Sequence, residues 1–287
     1  MIRILCILSN MNLGGAETFL MKMFRSMDKS KVVFDFCINV REKCFYEDEI
    51  ISMGGRIYRI PLKTDHFILF CKNLYQLIKL NNYKYILRIT STAVGFIDVV
   101  VARKAGASIC AVRSSNSSDG DSRIALMLHK LCRFLFLKKI DLCLAPSDKA
   151  AKYTFGEKYY RSGKIHILKN ALDLSIYKYN PEKRNNIRQH YGLSEDQLVV
   201  GHVGRFDKQK NHAYLIDVFK SLLQDIPNSV LMLLGNGELE SSIKEKVREL
   251  GLEKAVLFCG EQEDTVSYYS AMDVFIFPSF LRECQML

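Results

Sequence analysis

Residues 198–212 read Leu198-Val199-Val200-Gly201-His202-Val203-Gly204-Arg205-Phe206-Asp207-Lys208-Gln209-Lys210-Asn211-His212. An apolar run of strand type ends at a glycine, crosses a loop with three cations, and enters a helical pattern with Asn211 as its candidate cap. Such a strand–loop–helix unit is the building block of parallel α/β sheets. Two of those cations near a helix N-terminus can clamp a diphosphate, Arg205 by its fork and Lys210 as a point charge. A plain surface loop is the competing interpretation.

The same unit recurs on both sides of this stretch. Downstream, strands are expected near 229–234, 256–258 and 274–277, with helices near 211–223, 238–250 and 263–271. Upstream, seven strands are expected at 3–8, 32–38, 56–60, 85–89, 108–112, 142–145 and 164–168, separated by helices near 16–26, 46–53, 66–80, 93–104, 122–138 and 148–155. The strands are almost wholly apolar, as befits a sheet covered on both faces. A polar stretch around Asn180–Asn186, with Pro181 inside it, separates the two series. The reading is two doubly wound domains, 1–170 and 196–287, joined by a linker at 171–195. Ligands of such folds bind outside the carboxyl ends of the strands, and the cleft between two domains is the default site.

The loops after strands therefore carry the candidates. Ser9-Asn10-Met11-Asn12-Leu13-Gly14-Gly15-Ala16-Glu17 follows the first strand and opens a helix. Gly14 and Gly15 allow close backbone approach to an anion at the helix N-terminus, although a tight turn without a ligand reads the same way. Gly235, Gly237 and Glu238 form a second glycine loop, and Gly260 with Glu261 a third, where backbone groups could meet a planar base. The dinucleotide fingerprint, the P-loop and the G-x-S-x-G elbow are all absent from the sequence. No zinc spacing is present either. His66, His129, His166 and His190 read as surface or capping residues.

Composition narrows the function classes. The chain has 287 residues, 48% apolar and 25% charged, an ordinary globular mixture. Its nine cysteines form no C-x-x-C pair and mostly lie in apolar runs, which reads as free thiols in a reducing cytoplasm. No signal-peptide core or membrane-spanning run is expected. The net charge of +10 is uneven. Residues 1–170 hold 28 Lys/Arg against 14 Asp/Glu, a net +14, whereas the remainder holds 13 against 17, a net −4. The basic residues are dispersed without any recognition motif, which argues against nucleic acid and leaves anionic lipid or a phosphorylated substrate. The densest stretch, His129–Lys139, brackets large apolar side chains with cations. It reads either as a helix lying in a membrane interface or as an internal helix whose charged ends snorkel outward.

At these residues the chain resembles a family 4 glycosyltransferase of the GT-B fold, of the bacterial capsule and exopolysaccharide type. The matching pieces are Gly14-Gly15-Ala16-Glu17-Thr18, Phe34-Asp35-Phe36, Gly54-Gly55-Arg56-Ile57-Tyr58 and Asn170-Ala171-Leu172-Asp173, then Val203-Gly204-Arg205-Phe206 with Lys210-Asn211, and Ala271 through Ser279. The resemblance implies two Rossmann-like domains, the first for the acceptor and the second for the nucleotide-sugar donor. It also implies a retaining hexosyl transfer from a nucleotide-diphosphate sugar, UDP being expected, to a glycan or lipid-linked acceptor of capsule, O-antigen or exopolysaccharide. Arg205 and Lys210 would hold the diphosphate on one side and Gly15 approach it from the other. No cofactor or metal is expected, because cations and helix N-termini can carry the leaving-group charge. The expected location is the cytoplasm, with peripheral contact to an anionic inner membrane.

Two departures accompany the resemblance. Where the family commonly has His-Ser-His-Asn, this chain has Arg113-Ser114-Ser115-Asn116, leaving Arg113 and Asn116 as acceptor-side candidates. After Pro278-Ser279 the family's two donor-contacting glutamates have only Glu283 as a near counterpart. The second domain is therefore expected to be incomplete, from a frameshift or early stop, and the transferase weakened or inactive. The alternatives are a non-catalytic remnant that binds membrane or partner enzymes, and a sugar-nucleotide epimerase of similar fold.

Overall fold

The apolar runs pair into two parallel sheets in the computed structural model, which describes residues 1–115, 122–171 and 174–279. The chain divides into two units, one of Met1–Ala171 and a second beginning at residue 172.

In the first unit the elements run β1 (Ile2–Ile7), α1 (Gly15–Ser26), β2 (Val32–Ile38), α2 (Glu47–Ser52), β3 (Ile57–Arg59), α3 (Phe67–Leu80), β4 (Tyr85–Thr90), α4 (Phe96–Lys104), β5 (Ile109–Ser114), α5 (Arg123–Phe136), β6 (Leu142–Ala145), α6 (Asp148–Phe155), α7 (Glu157–Arg161) and β7 (Ile165–Ile167). The sheet order is β3-β2-β1-β4-β5-β6-β7, parallel throughout. The order reverses between β1 and β4, so the crevice of this sheet opens at their carboxyl ends. One face buries Phe70, Leu74, Phe96, Val99 and Phe155, and the other Leu20, Phe24, Phe34, Phe36 and Ile50. Both faces are covered, which is why the strands lack polar alternation.

The second unit runs α8 (Pro181–His190), β8 (Leu198–Val203), α9 (His212–Asp225), β9 (Ser229–Leu234), α10 (Glu240–Glu249), β10 (Val256–Gly260), α11 (Thr265–Ala271) and β11 (Val274–Phe275). Its sheet order is β10-β9-β8-β11, again parallel, with the reversal between β8 and β11. All six residues of β9 are buried, as a central strand requires.

Helix α8 lies inside the stretch read as a linker. Its start is locally encoded, since the Asn180 side chain accepts from Lys183 N at 3.0 Å and Pro181 occupies the first turn. Its place is set by Arg188, which is buried and ion-pairs with Asp273 at 2.6 Å. Burial opposes ionisation of Asp273, but the Val199 N–H and the Arg184 and Arg188 guanidinium groups outweigh it and hold the carboxyl below its usual range. The eight described cysteines are free thiols. No helix among the described residues is long and apolar enough to cross a membrane.

Candidate active site

In the second unit the loop after β8 is clamped against the loop after β9. Gly204 N donates to Leu234 O at 2.9 Å, Phe206 N to Asn236 O at 2.8 Å, and Leu239 N to Phe206 O at 3.0 Å. Gly235 and Gly237 have φ of +128° and +156°, and a Cβ on either would lie 2.2 Å from Gly204 O or 2.5 Å from Phe206 O. Only glycine allows both the backbone angle and the approach. This contact fixes the path of residues 204–206 and presents Arg205, which is exposed, at the carboxyl edge of the sheet. Asp207 Oδ1 accepts from Lys210 N at 3.0 Å, closing the loop into α9. Lys210 Nζ lies 4.6 Å from the ring centre of Phe277 in the segment after β11.

Beneath this loop lies a stack of rings. Phe206 stacks on His212 with centroids 4.1 Å apart, His212 meets His202 edge-on at 4.7 Å, and His202 faces Phe275 and Phe277 at 6.1 and 5.8 Å. His202 Nδ1 sits 2.8 Å from Ile276 O, so that nitrogen carries the proton and donates it. His212 is buried, and burial, with His202 and Lys210 beside it, pushes its pKa down to about 3. A neutral imidazole next to a cation-bearing loop adds no charge of its own to an anion site. The stack ties the loops after β8 and β11 together, which positions Lys210.

In the first unit the crevice at the reversal is a polar cavity of about 120 Å³, lined by Ser9, Glu17, Arg88, Thr90, Ser91 and Ser115 among others. Its floor holds a buried charge group. Arg88 donates to Ile7 O at 2.8 Å and pairs through Nε with Asp98 at 2.7 Å, while Lys63 pairs with the same fully buried carboxylate. Burial lowers the Lys63 pKa, and Asp98 counters it. Gly14 caps α1 in an extended conformation, and a Cβ there would strike only the mobile end of Glu17. A Cβ on Gly15 would meet open space.

Residues 183–283 match the family model of glycosyl transferases group 1. The chain is 34% identical over 284 residues to EpsF of Bacillus subtilis, a protein named as a glycosyltransferase, covering 96% of this chain and 73% of EpsF. The chain belongs to the group 1 glycosyltransferase family. This glycosyltransferase is also 25% identical to CapH of Staphylococcus aureus, a capsular polysaccharide biosynthesis glycosyltransferase, over 98% of its own length and 76% of CapH. An Escherichia coli galactosyltransferase, which takes UDP-Gal to a GlcNAc-diphosphoundecaprenol, is 28% identical over 72% of this chain and 54% of that protein. Among solved structures, Anabaena HepE in complex with UDP and glucose superposes with a TM-score of 0.78 at 18% identity, covering 99% of this chain and 76% of HepE. The fold is GT-B, two Rossmann-like units. Neither inactivity nor the remnant and epimerase alternatives draw support from the family.

Four of the expected site residues fall at the two reversals of strand order. Arg205 and Lys210 share one loop, and Gly14 and Gly15 open α1 beside the polar cavity. Gly235 and Gly237 serve the loop clamp. Glu238 is exposed, and Glu261 is held by Asn236 Nδ2 at 2.9 Å. Gly260 has a φ of +67° with nothing within 4 Å of a Cβ. Arg113 is placed inward, where it lies 3.7 Å over the Phe19 ring and donates to Asn170 Oδ1 at 2.6 Å. Asn116 and Glu283 lie outside the described residues. Asn211 stands at the start of α9 but does not cap it. It is left-handed, with φ of 56°, and its amide reaches toward Pro278 O instead. His129, read as surface or capping, is buried as well. Sequence reasoning missed His202 and His212, whose signal was two histidines flanking the cation loop at the strand's end and the helix's start.

Proposed function

We propose that this glycosyltransferase moves a sugar from a UDP-sugar to a glycan or lipid-linked acceptor in cell-surface polysaccharide synthesis, with retention at the anomeric carbon. The observation that carries this is the loop of Arg205 and Lys210, clamped by Gly235 and Gly237 at the reversal of the second sheet. When the bond from the anomeric carbon to the diphosphate oxygen breaks, negative charge grows on the leaving diphosphate. The two cations on this backbone-clamped loop and the N-terminus of α9 stabilise that charge more than they stabilise the bound donor, and this difference is catalysis. The reaction then needs no metal, so a chelator should leave the rate unchanged. The acceptor binds the first unit, whose polar cavity by Arg88 and Ser115 suits hydroxyl groups. Gly15, at the start of α1, has open space where a side chain would stand. The relatives' names support a UDP donor and a polyprenyl or capsular acceptor. The enzyme works in the cytoplasm, at the inner face of an anionic membrane.

Calorimetric titration with UDP and GDP tests the donor half. UDP binding that weakens in Arg205→Ala and Lys210→Ala supports the reading. If neither nucleotide binds, the reading falls.

A further inference from the structure

We propose that α5 docks the first unit onto an anionic lipid surface through the apolar stripe it turns toward solvent. A surface helix of a globular unit normally faces its apolar stripe inward. In α5 only His129 and Cys132 are buried. Ile124 is 70% exposed, Met127 64% and Phe134 84%, and Leu128, Leu131 and Leu135 are exposed as well. Ile124, Met127, Leu128, Leu131 and Leu135 recur at helical spacing and form one continuous stripe. Single exposed apolar residues are ordinary on any surface, whereas a continuous stripe marks an interaction.

The helix is held in this orientation by polar bonds on its inner side. His129 Nδ1 accepts from Ala93 N at 3.1 Å, so Nε2 carries the proton that meets Tyr153 O at 3.1 Å. Arg133 Nη1 donates to the same carbonyl at 3.0 Å. Rolling the stripe inward would break all three and bury new polar groups without partners.

Charge selects the occupant. Residues 123–139 carry five cations and no carboxylate, and Arg123, Lys130, Lys138 and Lys139 are exposed. A second copy meeting α5 to α5 would oppose cation to cation, which disfavours self-association. Anionic headgroups complement the cations while the stripe enters the acyl boundary. Phe67, Ile68 and Leu69, at the start of α3, are also exposed. Both α3 and α5 return from the carboxyl edge of the sheet, so their first turns lie toward the rim that holds the polar cavity. The purpose of docking there rests on the lipid-linked acceptor proposed above, but the docking itself does not.

The test is co-sedimentation of the purified chain with phosphatidylcholine vesicles, with and without phosphatidylglycerol. Binding is expected only to the anionic vesicles and should fall with added salt. Lys130→Gln and Lys138→Gln should each weaken it about fivefold. Met127→Glu with Leu131→Glu should weaken it roughly tenfold or more. UDP binding and melting temperature, measured on the same samples, should stay unchanged. Indifference to anionic vesicles, or glutamate variants that bind like the parent, would overturn the proposal. So would an oligomer that the glutamate variants dissolve, since the stripe would then be a protein interface. Vesicle binding without UDP binding would keep this proposal and sink the transferase reading instead.

Discussion

Helices α5 and α9 are both 14 residues long, and each comes after a strand of a parallel sheet. Helix α9 turns Leu215, Ile216 and Phe219 into the core of its unit. Helix α5 turns its leucines outward and keeps a histidine, a cysteine and the stem of an arginine inside. Both are amphipathic in sequence, so amphipathicity reports that an apolar face exists and not which way it points. The direction is set by what the neighbouring elements offer. Around α9 they offer Val200, Leu231 and Leu233, whereas next to α5 they offer the Ala93 amide and the Tyr153 carbonyl.

The contrast breaks most easily at the buried face. Phe219→Ala in α9 should destabilise by about 3–5 kcal/mol in urea unfolding. A loss as small as that of a surface substitution would mean that α9 is not anchored as described. Next comes the start of α9, where truncating Arg205 or Lys210 to alanine should lower kcat/KM roughly 100- to 1,000-fold with folding intact. Equal activity in both variants would remove this loop from the site.

A smaller effect belongs to His212. Its imidazole takes up a proton near pH 6.5 in the unfolded chain but only near 3 when folded, so the unfolded state binds more protons between those values. Its contribution is therefore complete above that window and is lost as pH falls through it, by about 2 kcal/mol at pH 5. Comparing the parent with His212→Gln from pH 7 to 5 should show this slope only in the parent. Parallel slopes would show that the imidazole is not held neutral. The smallest effect sharpens the other side. Ile124→Gln on α5 should change stability by no more than about 0.5 kcal/mol, because its side chain is already mostly in water. A loss of several kcal/mol would place the stripe in a core.

Much of the fold was legible because parallel strands buried on both faces are written as unbroken apolar runs. All eleven strands overlap the expected spans, the central ones as such runs, whereas the edge strands β3 and β7 carry Arg59 and His166 and are more exposed. Helix α8 was not, since Asn180 through Asn186 is polar along its length and is read as a connector. Its role emerges only through Arg188, whose partner Asp273 is 85 residues away. The cations of the candidate site were legible from local order, Arg205 and Lys210 framing the entry to a helix. The inward turn of Arg113 was not, because it depends on Phe19 and Asn170, each more than 50 residues distant along the chain.

The sequence by itself determined the alternation of strands and helices, the glycine-bearing and cation-bearing loops that follow strands, and the basic character of the first half. These depend on periodicity, glycine placement and charge, all of which are local. Tertiary structure alone decided that Gly235 and Gly237 lock one loop against another, that His202 and His212 stack beneath it, and that α5 faces outward. Each of these rests on a backbone or ring brought close from elsewhere in the chain, and no local pattern encodes a distance across a sheet edge.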